Sequence, residues 1–118
     1  SATLARARAL ITSSLTVVEY ERGILRRRQD GTVTSKQEAD AQRWGREFAA
    51  RCYLMGVDAE VLDRARLPFK VEPVRTLDAL HLASIDLLAR KLQWLTVVSC
   101  DGRVRANALA SGFQVLPA

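Results

Sequence analysis

The stretch from Thr76 to Ser99 limits the possible folds more than any other part of the chain. It predicts a helix from Thr76 to about Lys91 that is apolar nearly all round, followed by a continuous apolar strand from Trp94 to Ser99. A helix with that pattern is buried, here against a sheet and another helix. A strand without polar alternation is typical of a parallel sheet that is covered on both faces. The stretch therefore predicts an α/β fold.

Further strands and helices alternate around this stretch. The other predicted elements are a helix over 2–9, a strand over 10–12, a helix from Leu15 to about Arg28 capped by Ser13 or Ser14, a helix from Ser35 to Gly56 opened by a Ser35–Glu38 capping box, a helix over 58–66, a short helix ending at Ala110, and a strand over 113–116. In the Ser35 helix, Trp44 and Phe48 have the spacing of core residues. This order predicts a single three-layer α/β/α domain over 1–118 with a central parallel sheet. Because few strands are visible, we expect the first strand to lie upstream of Ser1.

Composition places the chain among folded, basic, intracellular proteins. Hydrophobic residues make up 48%, and 18 Lys and Arg face 13 Asp and Glu, a net charge of +5. A basic surface favours a polyanionic partner. The sequence has neither an apolar run of membrane-spanning length nor a secretory leader, so we expect a cytoplasmic protein without a membrane partner. Cys52 and Cys100 lack metal-site spacing, which predicts two buried, reduced thiols.

The densest positive charge is the run Arg26–Arg27–Arg28. Cations in the last turn of a helix complement its dipole, so a solvated helix end explains the run. Contacts with nucleic-acid phosphates explain it equally well. The sequence leaves both interpretations open.

Three carboxylates stand at the ends of predicted elements. Asp101 follows the apolar strand, Asp78 lies in the first turn of the apolar helix, and Glu19 lies early in the helix after the first visible strand. Ligands of open α/β sheets bind beyond the carboxyl ends of the strands, so these side chains are expected to share one cleft. Each also has an ordinary explanation: Asp101 as a turn former, Asp78 as a partner of the helix dipole, and Glu19 as a solvated residue.

Taken together, three segments around these carboxylates resemble the PIN-domain nucleases, most closely the VapC toxins of VapBC toxin–antitoxin systems. The segments are 11–19, 75–83 and 97–103 with the following 106–116. The first looks like a strand-to-helix segment ending in an acidic residue. The second matches the family's most recognisable stretch, and the third looks like its closing strand–Asp–helix–strand unit. The family normally has one more aspartate in its first strand, and nothing before Leu10 fits that pattern.

The resemblance implies a metal-dependent endoribonuclease with an RNA substrate, a cognate antitoxin and a homodimeric state. Glu19, Asp78 and Asp101 would be its catalytic residues and its ligands for Mg²⁺ or Mn²⁺, cations that prefer oxygen ligands. Asp101 and Asp78 are the expected metal ligands, and Glu19 either binds the ion or orients water. Ser99 is expected to contact a metal ligand without binding the metal ion itself.

Several other side chains have weaker claims. Arg103 and Arg105 are candidates for phosphate contacts, with a solvated helix face as the equal alternative. His81 lies one turn beyond Asp78 and is expected to be buried and hydrogen-bonded rather than catalytic. Ser13, Ser14 and Cys100 lack a positioned base, so no covalent nucleophile is predicted.

Two other functions are compatible with parts of the sequence. A degenerate PIN-like protein that binds RNA or acts as a scaffold would lack the upstream aspartate. A DNA-binding regulator built on helix-turn-helix would use the two helices around Asp30–Gly31, but the buried strand and Asp101 argue against it. A parallel sheet would dismiss this last alternative.

Overall fold

The computed structural model describes residues 9–92 and 95–117, which fall into two compact units, 9–56 and 57–117 without 93–94. The elements are β1 (Ile11–Ser13), α1 (Ser14–Gln29), α2 (Ser35–Arg51), β2 (Tyr53–Met55), α3 (Ala59–Ala65), α4 (Thr76–Lys91), β3 (Thr96–Val98), α5 (Gly102–Ala110) and β4 (Gln114–Leu116). The α/β class is confirmed. Residues 2–8 of the first predicted helix and Trp94 of the predicted strand lie outside the described residues, and the single domain stays a prediction.

The first unit contains a parallel strand pair and a helical hairpin. β1 pairs with β2 so that Ile11 faces Tyr53 and Ser13 faces Met55. The Ser13 hydroxyl accepts a hydrogen bond of 3.2 Å from Leu15 N–H, which makes Ser13 the cap of α1. The prediction of helix as far as Met55 is wrong. Cys52 has extended backbone angles, and Tyr53 N–H donates to the carbonyl of Leu10 at 2.8 Å, so strand pairing overrides helical spacing here.

Aromatic side chains join α1 to α2. The Tyr20 ring lies 5.8 Å from the Trp44 ring, and Trp44 stacks on Phe48 at 5.2 Å with an angle of 6° between the planes. The Tyr20 hydroxyl donates to the carbonyl of Ala41 at 2.9 Å. The prediction that Trp44 is a core residue is wrong, because 51% of its surface is exposed. A two-helix hairpin covers only one side of each helix, so an aromatic at its margin keeps contact with solvent.

The closeness of α1 and α2 depends on Gly45. A Cβ atom at this position would lie 2.6 Å from Cε1 of Tyr20, whose ring is held by its hydroxyl. We expect Gly45→Ala to destabilise the protein by about 1–2 kcal/mol, because overpacking outweighs the gain in helix propensity. Gly23→Ala is the matched control on α1, where the new Cβ meets only Arg26 at 4.0 Å. It should stabilise by about 0.5–1 kcal/mol. Urea unfolding measures both, and equal effects of the same sign would contradict the packing argument.

The second unit contains the main apolar core of the described residues. β3 pairs with β4 in parallel, with Val97 opposite Val115. The buried cluster has members from both strands and from α4 and α5: Leu82, Val97, Val104, Ala108 and Val115. The predicted helix from Thr76 to Lys91 is confirmed at both ends and packs on this strand pair. The strand is not fully buried as predicted, since Val98 is 49% exposed.

The described strands form two two-stranded sheets, β1–β2 and β3–β4, so the predicted central sheet is not confirmed. Both ladders are parallel, so the helix-turn-helix alternative is dismissed. Each ladder is only three residues long, and two-stranded sheets of this length rely on the helices packed on them for stability.

Two local predictions also need correction. The capping box of α2 is Thr34–Gln37 rather than Ser35–Glu38: Thr34 N–H donates to Gln37 Oε1 at 2.8 Å, and Gln37 N–H donates to Thr34 Oγ1 at 3.2 Å. Both pairs fit the same sequence rule, and the extended backbone of Thr34 decides between them. The two cysteines are free as predicted, but Cys52 is only partly buried and Cys100 is exposed because it lies beyond the end of β3.

Candidate functional site

Asp101 lies just beyond β3 and caps α5. Its Oδ1 atom accepts hydrogen bonds from the N–H groups of Arg103 at 2.9 Å and Val104 at 3.0 Å. An extended Asp before a helix is a preferred N-cap, which explains why the helix begins at Gly102. The carboxylate is exposed, and Oδ2 makes no hydrogen bond to the described part of the chain. The cap therefore occupies one oxygen and leaves the other available to a ligand.

Ser99 holds the turn that leads to Asp101. Its hydroxyl accepts a hydrogen bond of 3.1 Å from Asp101 N–H, and its own N–H donates to the carbonyl of Leu116 at 3.0 Å. Ser99 thus contacts the backbone of Asp101 and extends the pairing of β3 with β4. Its supporting role in a metal site stays a prediction.

The two arginines of α5 differ in their surroundings. The Arg105 guanidinium donates to the carbonyls of Ser99 at 2.8 Å and Pro117 at 2.7 Å, so it joins the ends of β3 and β4. Arg103 is exposed, and its guanidinium has no hydrogen bond or ion pair within the described residues. Arg103 is therefore the freer of the two to meet a phosphate, and phosphate contact by either residue stays a prediction.

Asp78 lies in the first turn of α4 and is half-buried. Its Oδ2 atom accepts a long hydrogen bond of 3.4 Å from Arg75 N–H. Asp78 and Asp101 thus share two properties: each stands at the start of a helix of the second unit, and each uses one oxygen for a backbone N–H. Carboxylates of this kind suit Mg²⁺, which binds through one or two carboxylates and keeps several waters. The donor chemistry of the two residues fits the cation.

Glu19 belongs to the other unit. It is exposed on α1, and neither Glu19 nor His81 is without a partner. Within the described residues, no group of three or more His, Cys, Asp or Glu is arranged to hold a metal ion. The meeting of Glu19 with Asp78 and Asp101 in one cleft stays a prediction.

Sequence reasoning missed Asn107, a buried amide of α5 with 3% of its surface exposed. Its Oδ1 accepts from Val71 N–H at 2.8 Å, and its Nδ2 donates to the carbonyls of Val71 at 2.8 Å and Arg103 at 3.1 Å. These bonds fix the connector that leads to α4, and hence the helix start where Asp78 lies. An Asn flanked by Ala106 and Ala108 was the available signal.

The surroundings of Cys52 do not favour covalent chemistry. Partial burial raises the pKa of the Cys52 thiol, and the nearby Arg51 opposes this effect more weakly. A raised pKa disfavours the reactive thiolate. Within the described residues, no helix is both long and apolar enough to cross a bilayer.

Comparison with known proteins gives one family. The PIN domain model matches residues 1–116, nearly the whole chain. No curated protein and no solved structure matches significantly. PIN domains are generally metal-dependent nucleases, so a nuclease-type function accompanies the match. The carboxylates at helix starts and the parallel strand pairs lie inside the matched range, and the chain belongs to the PIN domain family.

Proposed function

We propose that this protein is a metal-dependent endoribonuclease, a toxin of the VapC type that cleaves RNA with Mg²⁺ or Mn²⁺. The observation that carries the proposal is the family match over residues 1–116, within which Asp101 stands at the end of β3 with one carboxylate oxygen available. The cognate antitoxin, the homodimer and a cytoplasmic location are parts of the same proposal, and they rest on the resemblance to VapC toxins.

The residues divide the chemistry among them. Asp101 and Asp78 would hold the cation through the oxygens that their helix starts leave available. When bound, the cation neutralises charge on the scissile phosphate and favours ionisation of a water molecule. Glu19 would bind or orient that water. The contacts of Arg105 and Ser99 hold the turn that contains Asp101, which would restrict the movement of its carboxylate during the reaction.

A three-layer α/β/α fold with a central parallel sheet is a further part of this proposal. It requires a strand encoded upstream of Ser1, with the additional aspartate that the family normally carries. The resemblance of residues 11–19 to the segment that follows this strand in the family supports the idea. Reading the encoded residues before Ser1 tests it. A sequence without a hydrophobic–hydrophobic–Asp–Thr/Ser pattern there would favour a degenerate protein that binds RNA without cleaving it.

Cleavage of RNA by the full-length protein, with and without divalent metal, tests the proposal directly. We expect cleavage of single-stranded RNA with Mg²⁺ or Mn²⁺ and none after chelation. Activity that survives thorough chelation would overturn the metal mechanism. Binding without cleavage under every metal condition would favour the non-catalytic alternative.

The basic run of α1 should contribute to RNA affinity. Arg26 is exposed in the last turn of α1 and has no ion pair with the described residues, whereas Arg28 lies 3.7 Å from Glu38. We expect Arg26→Ala to weaken RNA binding about 2- to 5-fold at 0.1 M salt and to lower the salt slope by about 0.7, as for one lost phosphate contact. Cleavage at saturating RNA should persist. Fluorescence anisotropy across a salt series measures both effects.

Arg90→Ala is the matched control for Arg26→Ala. Arg90 is an exposed arginine in the last turn of α4, and it pairs with Asp86 at 3.0 Å. Its removal should leave the salt slope unchanged. Identical slopes for the parent and Arg26→Ala would show that the basic run is only a solvated helix end.

A further inference from the structure

Three aromatic side chains of the helical hairpin have no role in the chemistry above, and one of them, Trp44, is exposed. Trp44 stacks on Phe48, and Tyr20 approaches the same indole at a tilt of 42°. We call these three residues the aromatic stack. Phe48 covers one face of the indole, yet 51% of the Trp44 surface is exposed. A large aromatic in this position leaves apolar area in water that a flat partner can cover.

The aromatic stack is held in place before any partner binds. The Tyr20 hydroxyl is fixed to the carbonyl of Ala41, and the Tyr20 ring lies over Gly45, where a side chain would collide with it. Trp44 and Phe48 are nearly parallel and one helical turn apart on α2. Little side-chain freedom remains to be lost when a ligand binds, which favours recognition by stacking.

Charge around the aromatic stack favours an anionic partner. The helices α1 and α2 contain eight Lys and Arg and five Asp and Glu, a net charge of +3. On α2, Asp40 is paired with Arg43 at 2.8 Å. Glu47, Arg46 and Arg51 are exposed on the same helix, and Glu19 and Glu21 flank Tyr20 on α1. Exposed aromatics on a basic surface are the features that bind single-stranded nucleic acid.

We propose that the aromatic stack is a stacking site for the bases of single-stranded RNA, with Trp44 as the residue that contacts a base. The inference rests on the proposed function, in that it assigns a binding surface for the RNA that the carboxylates would cleave. Stacking accepts any base, so the site supplies affinity for unpaired RNA rather than sequence specificity. Duplex RNA, whose bases are already stacked, gains nothing from it.

The test separates base stacking from phosphate contact. Binding of a ten-nucleotide oligouridylate is measured on the full-length protein in chelator, so that no cleavage occurs, beside an abasic strand of equal length and charge. We expect Trp44→Leu to weaken oligouridylate binding roughly 5- to 100-fold. Its binding of the abasic strand should equal that of the parent. Trp44→Phe, which keeps an aromatic face, should retain most of the affinity.

A control variant and a fluorescence measurement show whether the effect is specific to Trp44. Tyr53→Leu is the matched control, because Tyr53 is a 73% exposed aromatic of the same unit, and its binding should equal that of the parent. Trp94→Phe leaves Trp44 as the single tryptophan of residues 1–118, and oligouridylate should quench its fluorescence whereas the abasic strand should not. Circular dichroism and thermal unfolding confirm that Trp44→Leu is folded. If Trp44→Leu does not fold, RNA binding by Trp44→Phe and the quenching of Trp44 fluorescence test the proposal instead.

Each outcome decides the proposal. Parent-like oligouridylate binding by Trp44→Leu, or an equal loss on the abasic strand, would overturn it. A change of oligomeric state in Trp44→Leu with unchanged RNA binding would overturn it in favour of a protein contact. Base-dependent binding through Trp44 without cleavage under any metal condition would keep the stacking site and reject the ribonuclease. RNA cleavage and binding that do not depend on Trp44 would keep the ribonuclease and reject the stacking site.

Discussion

Asp101→Asn should abolish metal-dependent RNA cleavage, lowering the rate on the order of a hundredfold or more, in a protein that remains folded. The substitution removes the negative charge that would hold a cation but keeps an oxygen at Oδ1 for the N–H groups of Arg103 and Val104. Asn caps helices about as well as Asp, so the free energy of unfolding should change by less than about 1 kcal/mol. The measurement is the initial rate of RNA cleavage with Mg²⁺ or Mn²⁺, beside thermal unfolding.

Asp58→Asn is the matched control for this experiment. Asp58 is the N-cap of α3, and its Oδ1 accepts from Val61 N–H at 3.0 Å, so the chemistry and the helix position are the same. It lies outside the three segments that resemble the carboxylate-bearing segments of PIN domains, and cleavage should proceed at the parent rate. Cleavage by Asp101→Asn at the parent rate would rule out a metal-binding role for Asp101. Equal losses in the two variants would point to cap stability instead of catalysis.

The sequence was most informative where several physical requirements coincided. The helix Thr76–Lys91 was predicted with both of its ends, because a long apolar pattern begins after a Pro-containing connector and ends in basic residues. Asp101 was found because an apolar run, an Asp–Gly pair and a new helical pattern follow one another. Such agreement between strand, turn and helix signals leaves few alternative structures.

The sequence was least informative where distant contacts decide. Tyr53–Met55 continues a helical pattern, and only its pairing with Ile11–Ser13, some forty residues away, makes it a strand. Trp44 has core spacing, but its exposure depends on what lies around the helical hairpin, which periodicity does not describe. Neighbouring residues determine local structure, whereas the residues that pack against a helix or pair with a strand lie elsewhere in the chain.

The residues of the candidate site show the same difference between local and long-range contacts. Asp101 and its link to Ser99 are local, within three residues, and the sequence could suggest both. The clamp of Asn107 on Val71 spans 36 residues, and it was not foreseen. The joint placement of Glu19 with Asp78 and Asp101 is the longest-range element of the site, which is why the family resemblance rather than any spacing rule suggested it.

Leu82→Ala should destabilise the protein by about 2–5 kcal/mol, the largest stability effect that we expect from one substitution. Leu82 is 5% exposed on α4 and packs in the buried cluster with Val97, Val104 and Val115. The loss combines the transfer free energy of the removed methyl groups with the cavity that remains, since three elements around the site limit its collapse. Urea unfolding followed by circular dichroism measures the change.

Leu77→Ala on the same helix is the control, because Leu77 is 48% exposed and the substitution leaves no enclosed cavity. Its cost should be under about 1 kcal/mol, and alanine's higher helix propensity offsets part of it. The β3–α5 turn that carries Asp101 packs on the cluster of Leu82, since Val97 and Val104 flank that turn. Leu82→Ala should therefore lower cleavage in proportion to the unfolded fraction, with the activity of the folded fraction unchanged. Equal free-energy losses at Leu82 and Leu77 would show that α4 does not pack on the strand pair in solution.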